Sequence, residues 1–297
     1  MVTVLFADLV GFTTLSEHLD PEQVKRIIDS CFEQLVEVVV EFGGRVDKLL
    51  GDGMLVLFGA PIAHEDDPER AVRAALRMQE VLAARSTSLP GDTHVQMRVG
   101  INTGEVLVGT LAGTDYTAMG DVVNTASRLQ VAAPPGGVLV GSSTYSLTSH
   151  TFDYAHAGEL QAKGREQAVE AWLAITPTAP PGARHRRRDV PLIGRDTELA
   201  LAEATMAMMT DTHRAVVLHV VGDNGVGKSR LVDEVVARMT GHRGIAVLEG
   251  ACVPYGESNV WFPIATALAN HLDLDTTAPL ADVRAVADER AALLLPT

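Results

Sequence analysis

The chain has 297 residues, a length typical of about two domains. Hydrophobic residues make up 46% and charged residues 21%, the proportions of a globular protein with a buried core. The formal net charge of −14 at pH 7 argues against a generally basic surface, so we expect neither a nucleic-acid partner nor an anionic membrane partner.

The first sixty or so residues contain four predicted elements. They are a buried strand over 1–7, a helix over 20–42, and a hairpin of two short strands over 45–50 and 54–58. The helix has Asp20 as its N-cap, a proline at its first position, and Gly43 at its end. The hairpin is indicated by the Gly-Asp-Gly turn at 51–53, since Asp-Gly between apolar runs is a strong hairpin signal.

The next part of the chain alternates again between helical and extended patterns. The predicted elements are a helix from 67, strands over 95–101, 105–111 and 116–119, a helix from 120 that ends at Pro134, and shorter strand-like pieces to about 175. The order β-α-β-β-α-β-β and its hairpins predict a partly antiparallel sheet. We therefore expect an α+β sandwich with the helices on one face.

Residues 176–191 are rich in proline and arginine and have no hydrophobic period, which predicts a linker. The arginine cluster 184–188 is explained more simply as a solvated hinge than as a contact site, although both remain open. Beyond the linker, the pattern predicts a helix over 198–209 and a buried strand over 215–221.

Cysteine usage and the absence of long apolar runs bear on location. Cys31 and Cys252 lie far apart and in no metal-ligand spacing, as in proteins of a reducing compartment. No run reaches the roughly 18 apolar residues of a membrane span. No basic residues precede the first apolar stretch, which argues against a signal peptide. Together these observations predict a cytoplasmic protein without a membrane anchor.

Two aspartates occupy strand ends. Asp8 ends the first strand and Asp52 lies at the tip of the hairpin, so both converge at one end of the sheet if the two strands are neighbours. Carboxylate oxygens are the ligands that Mg²⁺ takes when it also binds a phosphate substrate. Turn geometry alone also explains an aspartate at either position, so the pattern by itself does not establish a metal site.

Three sequence blocks, 4–13, 47–53 and 120–128, resemble in order and spacing the signature blocks of the class III adenylyl/guanylyl cyclases. The resemblance covers residues 1–175 and implies the ferredoxin-like fold of that family, with a β-α-β-β-α-β core. It also implies that Asp8 and Asp52 hold two Mg²⁺ (or Mn²⁺) ions. Backbone amides of the loop after the first strand would cradle the substrate phosphates; the residues are Gly11, Phe12 and Thr13.

The same resemblance matches Lys48 and Thr117 to the pair that selects the base. A lysine only donates hydrogen bonds, so it suits the adenine N1 acceptor and not guanine N1–H. Asn124 and Arg128 match the residues that orient the ribose and meet charge on the transferring phosphate, and in the family they come from the opposite subunit. The resemblance therefore implies ATP as substrate and a head-to-tail homodimer with shared active sites.

Residues 222–229, Gly-Asp-Asn-Gly-Val-Gly-Lys-Ser, form a complete Walker A pattern between a predicted strand and a predicted helix. The residues expected to hold a second nucleotide are Gly222, Gly225, Gly227, Lys228 and Ser229. The segment resembles the start of an AAA-type signalling ATPase. No later apolar strand ends in a Walker B aspartate, so residues 192–297 are interpreted as a truncated P-loop NTPase domain that binds nucleotide without a predicted hydrolysis step.

The sequence favours an adenylate cyclase, because the five residues Asp8, Lys48, Asp52, Asn124 and Arg128 are all present. Two other hypotheses remain: a regulatory P-loop ATPase whose cyclase-like domain only binds nucleotide, and a scaffold with neither activity. A diguanylate cyclase is disfavoured, since its Gly-Gly-Asp/Glu-Glu-Phe hairpin is replaced by Leu-Gly-Asp-Gly-Met at 50–54.

Overall fold

The structure is a computed structural model. It describes residues 1–10, 20–86, 95–111, 114–160, 168–179, 181, 192–212, 214–223, 226–240, 245–250, 252, 261–272, 274 and 280–294. The chain divides into two compact units, one that contains the residues up to Ala183 and the other formed by most of those from Arg184 onward. Among the described helices, none is long and apolar enough to cross a lipid bilayer.

The first unit is built from strands and helices in alternation. In chain order its elements are β1 (Val2–Val10), α1 (Pro21–Glu41), β2 (Arg45–Leu50), β3 (Gly53–Phe58), α2 (Asp67–Ser86), β4 (Gln96–Gly104), β5 (Leu107–Leu111), β6 (Thr114–Met119), α3 (Asp121–Ala132), β7 (Val138–Gly141), α4 (Ser142–Thr148), β8 (Phe152–Leu160) and β9 (Val169–Pro177). Asp20 caps α1 through its side chain, as the sequence predicts.

Seven of these strands form one sheet in the order β2-β3-β1-β4-β7-β9-β8, and β5 pairs with β6 separately. Every pair in the large sheet is antiparallel except β4 with β7. The predicted hairpin is present as β2 and β3, and β3 lies directly beside β1. The partly antiparallel sheet expected from the sequence is therefore confirmed.

The helices do not all lie on one face of the sheet, so that expectation is wrong. Leu5, Ala7 and Leu9 of β1 pack in a core with residues of α1 and α2. Val2 and Val4, which alternate with them, pack in a second core with Ala126 of α3. The physical reason is that β1 and β3 are apolar at nearly every position, and a strand with two apolar faces is stable only when both are covered.

Close approach of α3 to the sheet depends on a glycine. A Cβ at Gly100 of β4 would overlap the backbone of Gln130 and Ala126, which shows that the helix backbone lies directly against this position. The sheet face that carries α3 is called the α3 face below.

The end of the first unit extends into the predicted linker. Thr176 and Pro177 belong to β9, and the Ala179 carbonyl accepts a 2.7 Å hydrogen bond from the guanidinium of Arg73 on α2. The structure thus gives to the first unit residues that the sequence pattern assigned to the linker. Residues 182–191 of the predicted linker fall in a part of the chain that the structure does not describe.

The second unit contains α5 (Asp196–Thr212), α6 (Lys228–Met239), α7 (Phe262–His271) and α8 (Leu280–Leu294). A small core that includes Leu199, Ala202, Leu231 and Val235 joins α5 to α6. The predicted buried strand over 215–221 is not observed: these residues form no strand, and Val221 is 89% exposed. A strand needs a neighbouring strand to which it can hydrogen-bond, and the described residues of this unit contain no other strand.

Candidate functional site

The two aspartates of the predicted metal site lie together, although β1 continues to Val10 and does not end at Asp8 as the sequence predicts. In the antiparallel pair of β1 and β3, Asp8 is directly opposite Gly53, and the Leu9 amide donates a 2.9 Å hydrogen bond to the Asp52 carbonyl. A Cβ at position 53 would come within 3.2 Å of Asp8 Oδ1, so glycine leaves room for the carboxylate. The expected convergence of Asp8 and Asp52 at one end of the sheet is thus observed.

The Asp8 carboxylate lies in an environment that opposes its charge. Burial raises the pKa of Asp8 above its ordinary value, and the negative charge of Asp52 raises it further, whereas Arg98 lowers it. Arg98 is the β4 residue opposite Asp8, so both side chains lie on the same face of the sheet. The sequence interpretation missed Arg98; the available signal was that Arg98 is the single charged residue of β4.

These residues fit a divalent cation. Carboxylate oxygens are the ligands that Mg²⁺ and Mn²⁺ prefer, and a cation between Asp8 and Asp52 would offset the repulsion that raises the Asp8 pKa. Over the described ranges, no group of three or more His, Cys, Asp or Glu side chains could hold a metal. A cation at Asp8 and Asp52 would therefore complete its coordination with backbone, water or phosphate oxygens.

A β-bulge decides which way Lys48 points. Val46 pairs with Val56, but Lys48 pairs with Leu55, so Asp47 is an extra residue in β2. Val46 packs against the core formed with α1 and α2, whereas Leu55 belongs to the core that includes Ala126 of α3. Because opposed residues share a face, Lys48 lies on the α3 face, which also carries Asp8 and Arg98. With regular alternation it would share the face of Val46.

Helix α3 carries the next two predicted site residues. Thr125, Ala126 and Leu129 are buried against the sheet, which fixes the rotation of the helix. Asn124 is exposed, and Arg128 is half-buried with Nη1 shielded from solvent. The four-residue spacing places both on one side of the helix.

The structure describes the remaining cyclase-site residues only in part. The backbone of Thr117 lies in β6 opposite Gly109, and its side chain falls in the part left undescribed. The predicted phosphate-binding residues Gly11, Phe12 and Thr13 also lie outside the described residues. Their roles stay predictions.

The Walker A segment of the second unit precedes a helix, as its sequence requires. Gly227 adopts a positive φ of 88° as the N-cap residue of α6, and Lys228 and Ser229 begin that helix. The Lys228 ammonium donates to the carbonyls of Gly222 at 2.9 Å and Asp223 at 2.7 Å. Gly225 lies outside the described residues. The ammonium thus bonds the first residues of the loop.

Comparison with known proteins adds two family matches. A model described as the adenylate and guanylate cyclase catalytic domain matches residues 1–175. A model described as the AAA ATPase domain matches residues 191–295. These matches agree with the two resemblances noted in the sequence, and the AAA match is consistent with a partial P-loop domain.

Two curated relatives illustrate the similarity. Adenylate cyclase 1 of Rhizobium meliloti (strain 1021) is 34% identical over 184 residues, which cover 59% of this chain and 27% of that protein. An adenylate cyclase of Mycobacterium tuberculosis is 31% identical over 175 residues, 58% of this chain and 39% of that protein. The chain therefore spans well under half the length of these relatives.

Solved structures show the same fold. The adenylyl cyclase CyaB from P. aeruginosa superposes with a TM-score of 0.56 at 31% identity, over 64% of this chain and 96% of that chain. The guanylyl cyclase Cya2 gives a TM-score of 0.56 at 34% identity, over 61% and 94% of the two chains. The predicted α+β cyclase fold is confirmed, and the similar proteins include enzymes named for either nucleotide.

Proposed function

Over residues 1–175 this chain belongs to the adenylate and guanylate cyclase family, and we propose that it is an adenylate cyclase that forms 3′,5′-cyclic AMP and pyrophosphate from ATP. The proposal assigns residues 1–175 to the catalytic domain, whose last strand runs on to Pro177, and residues 192–297 to a P-loop domain, with a linker between the two. A cytoplasmic location remains a prediction.

The observation that carries the proposal is the arrangement on the α3 face. Asp8 and Asp52 lie together where the pairing of β1 with β3 ends, and Arg98 is opposite Asp8. The bulge at Asp47 turns Lys48 to the same face as Asp8 and Arg98. The Asp8 and Asp52 carboxylates could share divalent metal ions, and the Arg98 guanidinium beside them could meet phosphate charge. This combination suits a nucleoside triphosphate better than a neutral ligand.

The choice of adenine over guanine rests on Lys48. Its ammonium has donors only, so it bonds adenine N1, which is an acceptor, and leaves guanine N1–H without an acceptor. A threonine hydroxyl at position 117 would accept from the adenine amino group. We therefore propose ATP as the preferred substrate.

The reaction is an intramolecular displacement. The ribose 3′-oxygen attacks the α-phosphorus, its proton is released, the bond from the α-phosphorus to the bridging oxygen breaks, and pyrophosphate leaves. Asn124 would orient the ribose, and Arg128 would meet the negative charge that develops on the α-phosphate. Divalent cations, which this family uses, would supply charge neutralisation and acidify the 3′-hydroxyl when held by Asp8 and Asp52.

A second copy of the chain completes this proposal. In it, two chains pair head to tail, so that Asp8 and Asp52 of one copy face Asn124 and Arg128 of the other. A two-fold pair of this kind would contain two equivalent sites, each built from both copies.

A second nucleotide at the P-loop is proposed for residues 222–229. Gly227 at the start of α6 and the Lys228 ammonium at the loop support it. This loop also supports the alternative function, a regulatory ATPase whose cyclase domain only binds nucleotide.

Product analysis separates these functions. The full chain is incubated with ATP or GTP and either Mg²⁺ or Mn²⁺, and products are identified by mass spectrometry. An adenylate cyclase yields cyclic AMP and pyrophosphate in equal amounts, and the Asp8→Asn chain yields neither above background. Formation of ADP alone would favour the regulatory ATPase, and cyclic GMP as the main product would contradict the assignment of Lys48.

A further inference from the structure

Arg195 lies directly before α5 and bonds two groups at once. Its Nη2 donates a 3.1 Å hydrogen bond to the Val226 carbonyl, and its Nη1 lies 2.8 Å from Glu198 Oε1. Val226 belongs to the Walker A segment, two residues before Lys228. The guanidinium therefore ties the phosphate loop to the first turn of α5, with Glu198 as its anchor.

The direction of the Val226 carbonyl affects how the loop can bind a phosphate. The peptide between Val226 and Gly227 is planar and trans, so its carbonyl and its N–H point in opposite directions. A cation that holds the Val226 carbonyl therefore also fixes the direction of the Gly227 N–H, on the side of the loop away from Arg195. N–H groups at this position, beside the N-terminus of α6, are the groups that bind phosphate oxygens.

A bound phosphate would affect the hydrogen bonds of Lys228 and those of Arg195 differently. The Lys228 ammonium is bonded to the Gly222 and Asp223 carbonyls, and a phosphate would compete with those carbonyls for it. Arg195 lies on the carbonyl side of the Val226–Gly227 peptide, opposite to the N–H that would face a phosphate, so a phosphate bound by that N–H does not compete for the guanidinium. The bond from Arg195 to Val226 can thus persist while nucleotide binds.

We propose that Arg195 is a positioning residue for the phosphate loop: by holding the Val226 carbonyl it presents the Gly227 N–H to the phosphates of a nucleoside di- or triphosphate. Glu198 orients Arg195 for this role. The inference rests on the proposal that the loop binds nucleotide, and it is independent of the cyclase reaction.

The test is ADP binding to the full chain by isothermal titration calorimetry. The cyclase site could also bind ADP, so each titration is repeated on a chain that also carries Lys228→Ala. Only the part of the binding that Lys228→Ala removes is assigned to the phosphate loop. Arg195→Ala should weaken that component about five- to tenfold, because one charge-assisted hydrogen bond to the loop is lost at a partly exposed site. Glu198→Gln should weaken it less, since Arg195 can still reach Val226.

The matched control is Arg238→Ala. Arg238 on α6 bonds Glu203 on α5 at 2.7 Å, and these two side chains are 47% and 49% exposed against 42% and 43% for Arg195 and Glu198. It joins the same two helices without touching the loop. The proposal expects its ADP affinity to stay within twofold of the unchanged chain.

Three results would overturn the proposal. The first is an Arg195→Ala chain with unchanged ADP affinity, and the second is an equal loss in the Arg238→Ala chain, which would show that helix docking alone matters. The third is the absence of any Lys228-dependent ADP binding in the unchanged chain. Cyclic AMP production is measured in parallel. A chain that forms no cyclic AMP would contradict the cyclase assignment, and the ADP affinities would still test the role of Arg195.

Discussion

An ionised Asp8 destabilises the folded protein when no metal ion balances its charge, and the pH dependence of stability should reveal this. Its folded pKa is raised above the ordinary value of 3.8 by burial and by Asp52. The folded state therefore binds this proton more tightly than the unfolded state, so the contribution of Asp8 to the free energy of unfolding falls as pH rises from about 3.8 through the raised pKa. Without metal, the Asp8→Asn chain should be more stable than the unchanged chain at neutral pH and equally stable below pH 3.8.

Thermal unfolding of metal-free protein at several pH values checks this expectation. Mn²⁺ should raise the melting temperature of the unchanged chain and leave that of the Asp8→Asn chain nearly constant, because a ligand that binds the folded state stabilises it. Equal stabilisation of both chains by Mn²⁺ would place the metal elsewhere.

Lys48 gives a second prediction at the scale of one residue. Lys48→Glu replaces a donor by an acceptor, so kcat/KM for ATP should fall about tenfold to a hundredfold while that for GTP falls less or rises. Lys25→Glu makes the same charge change on an exposed position of α1 and should alter neither value. If both substrates lose equally in the Lys48→Glu chain, Lys48 does not select the base.

The sequence identified Lys48 through a motif but could not show which way it faces. Val46 and Lys48 are two apart, so strand alternation alone puts them on the same face. The bulge at Asp47 reverses this, and a bulge depends on pairing with β3, which local sequence does not encode. Asp52 was easier to place, because a hairpin tip is marked by local turn chemistry. Asp8 was identified through its sequence block, although β1 continues past it to Val10.

At the scale of elements, the position of α3 depends on Gly100. The helix carries Asn124 and Arg128, and its backbone at Ala126 and Gln130 lies where a Cβ at position 100 would be. Gly100→Ala should therefore cost at least about 2 kcal/mol of stability, since backbone must move to relieve the overlap. Cyclase activity should fall as well, because both helix residues are displaced. Chemical denaturation and turnover measure the two effects.

Gly104→Ala is the comparison for this prediction. It lies on the same strand and face, but the nearest atoms to a Cβ there belong to the Val122 side chain, with Cγ2 at 2.7 Å, and not to the backbone. A side chain can rotate away, so we expect a smaller loss, of about 1 kcal/mol or less. Equal losses at both positions would mean that α3 is not held by its close approach at Gly100.

Elements that rest on local periodicity were predicted well, and those that rest on tertiary partners were not. The helices α1 and α2 begin where Asp20-Pro21 and Asp67-Pro68 indicate. The apolar run 215–221 has a strand composition but forms no strand, because composition does not supply a neighbouring strand. The helices on two faces were missed for a similar reason: periodicity shows that a helix buries one side, and not which face of a sheet covers it.

At the scale of the whole molecule, the proposed cyclase site requires two copies of the chain, and mixing experiments test this directly. Asp8→Asn and Arg128→Ala should each abolish most activity, the second by about 10²–10³. In a head-to-tail pair of the two variants, both changes fall in one site and the other site is intact. Equal mixing should then restore about a quarter of normal activity, since half of randomly formed pairs are mixed and each has one working site.

The control is a mixture of Asp8→Asn with Asp52→Asn. Both aspartates belong to the same half of the site, so every site in this mixture keeps one damaged pair and activity should stay near background. Turnover is measured after the chains are mixed at low concentration and concentrated together, which allows pairs to exchange. If the Asp8→Asn and Arg128→Ala mixture remains inactive, Arg128 and Asp8 do not meet across a subunit boundary, and the site must be assembled within one chain. Recovery of the control mixture would instead contradict the placing of Asp8 and Asp52 in the same half of the site.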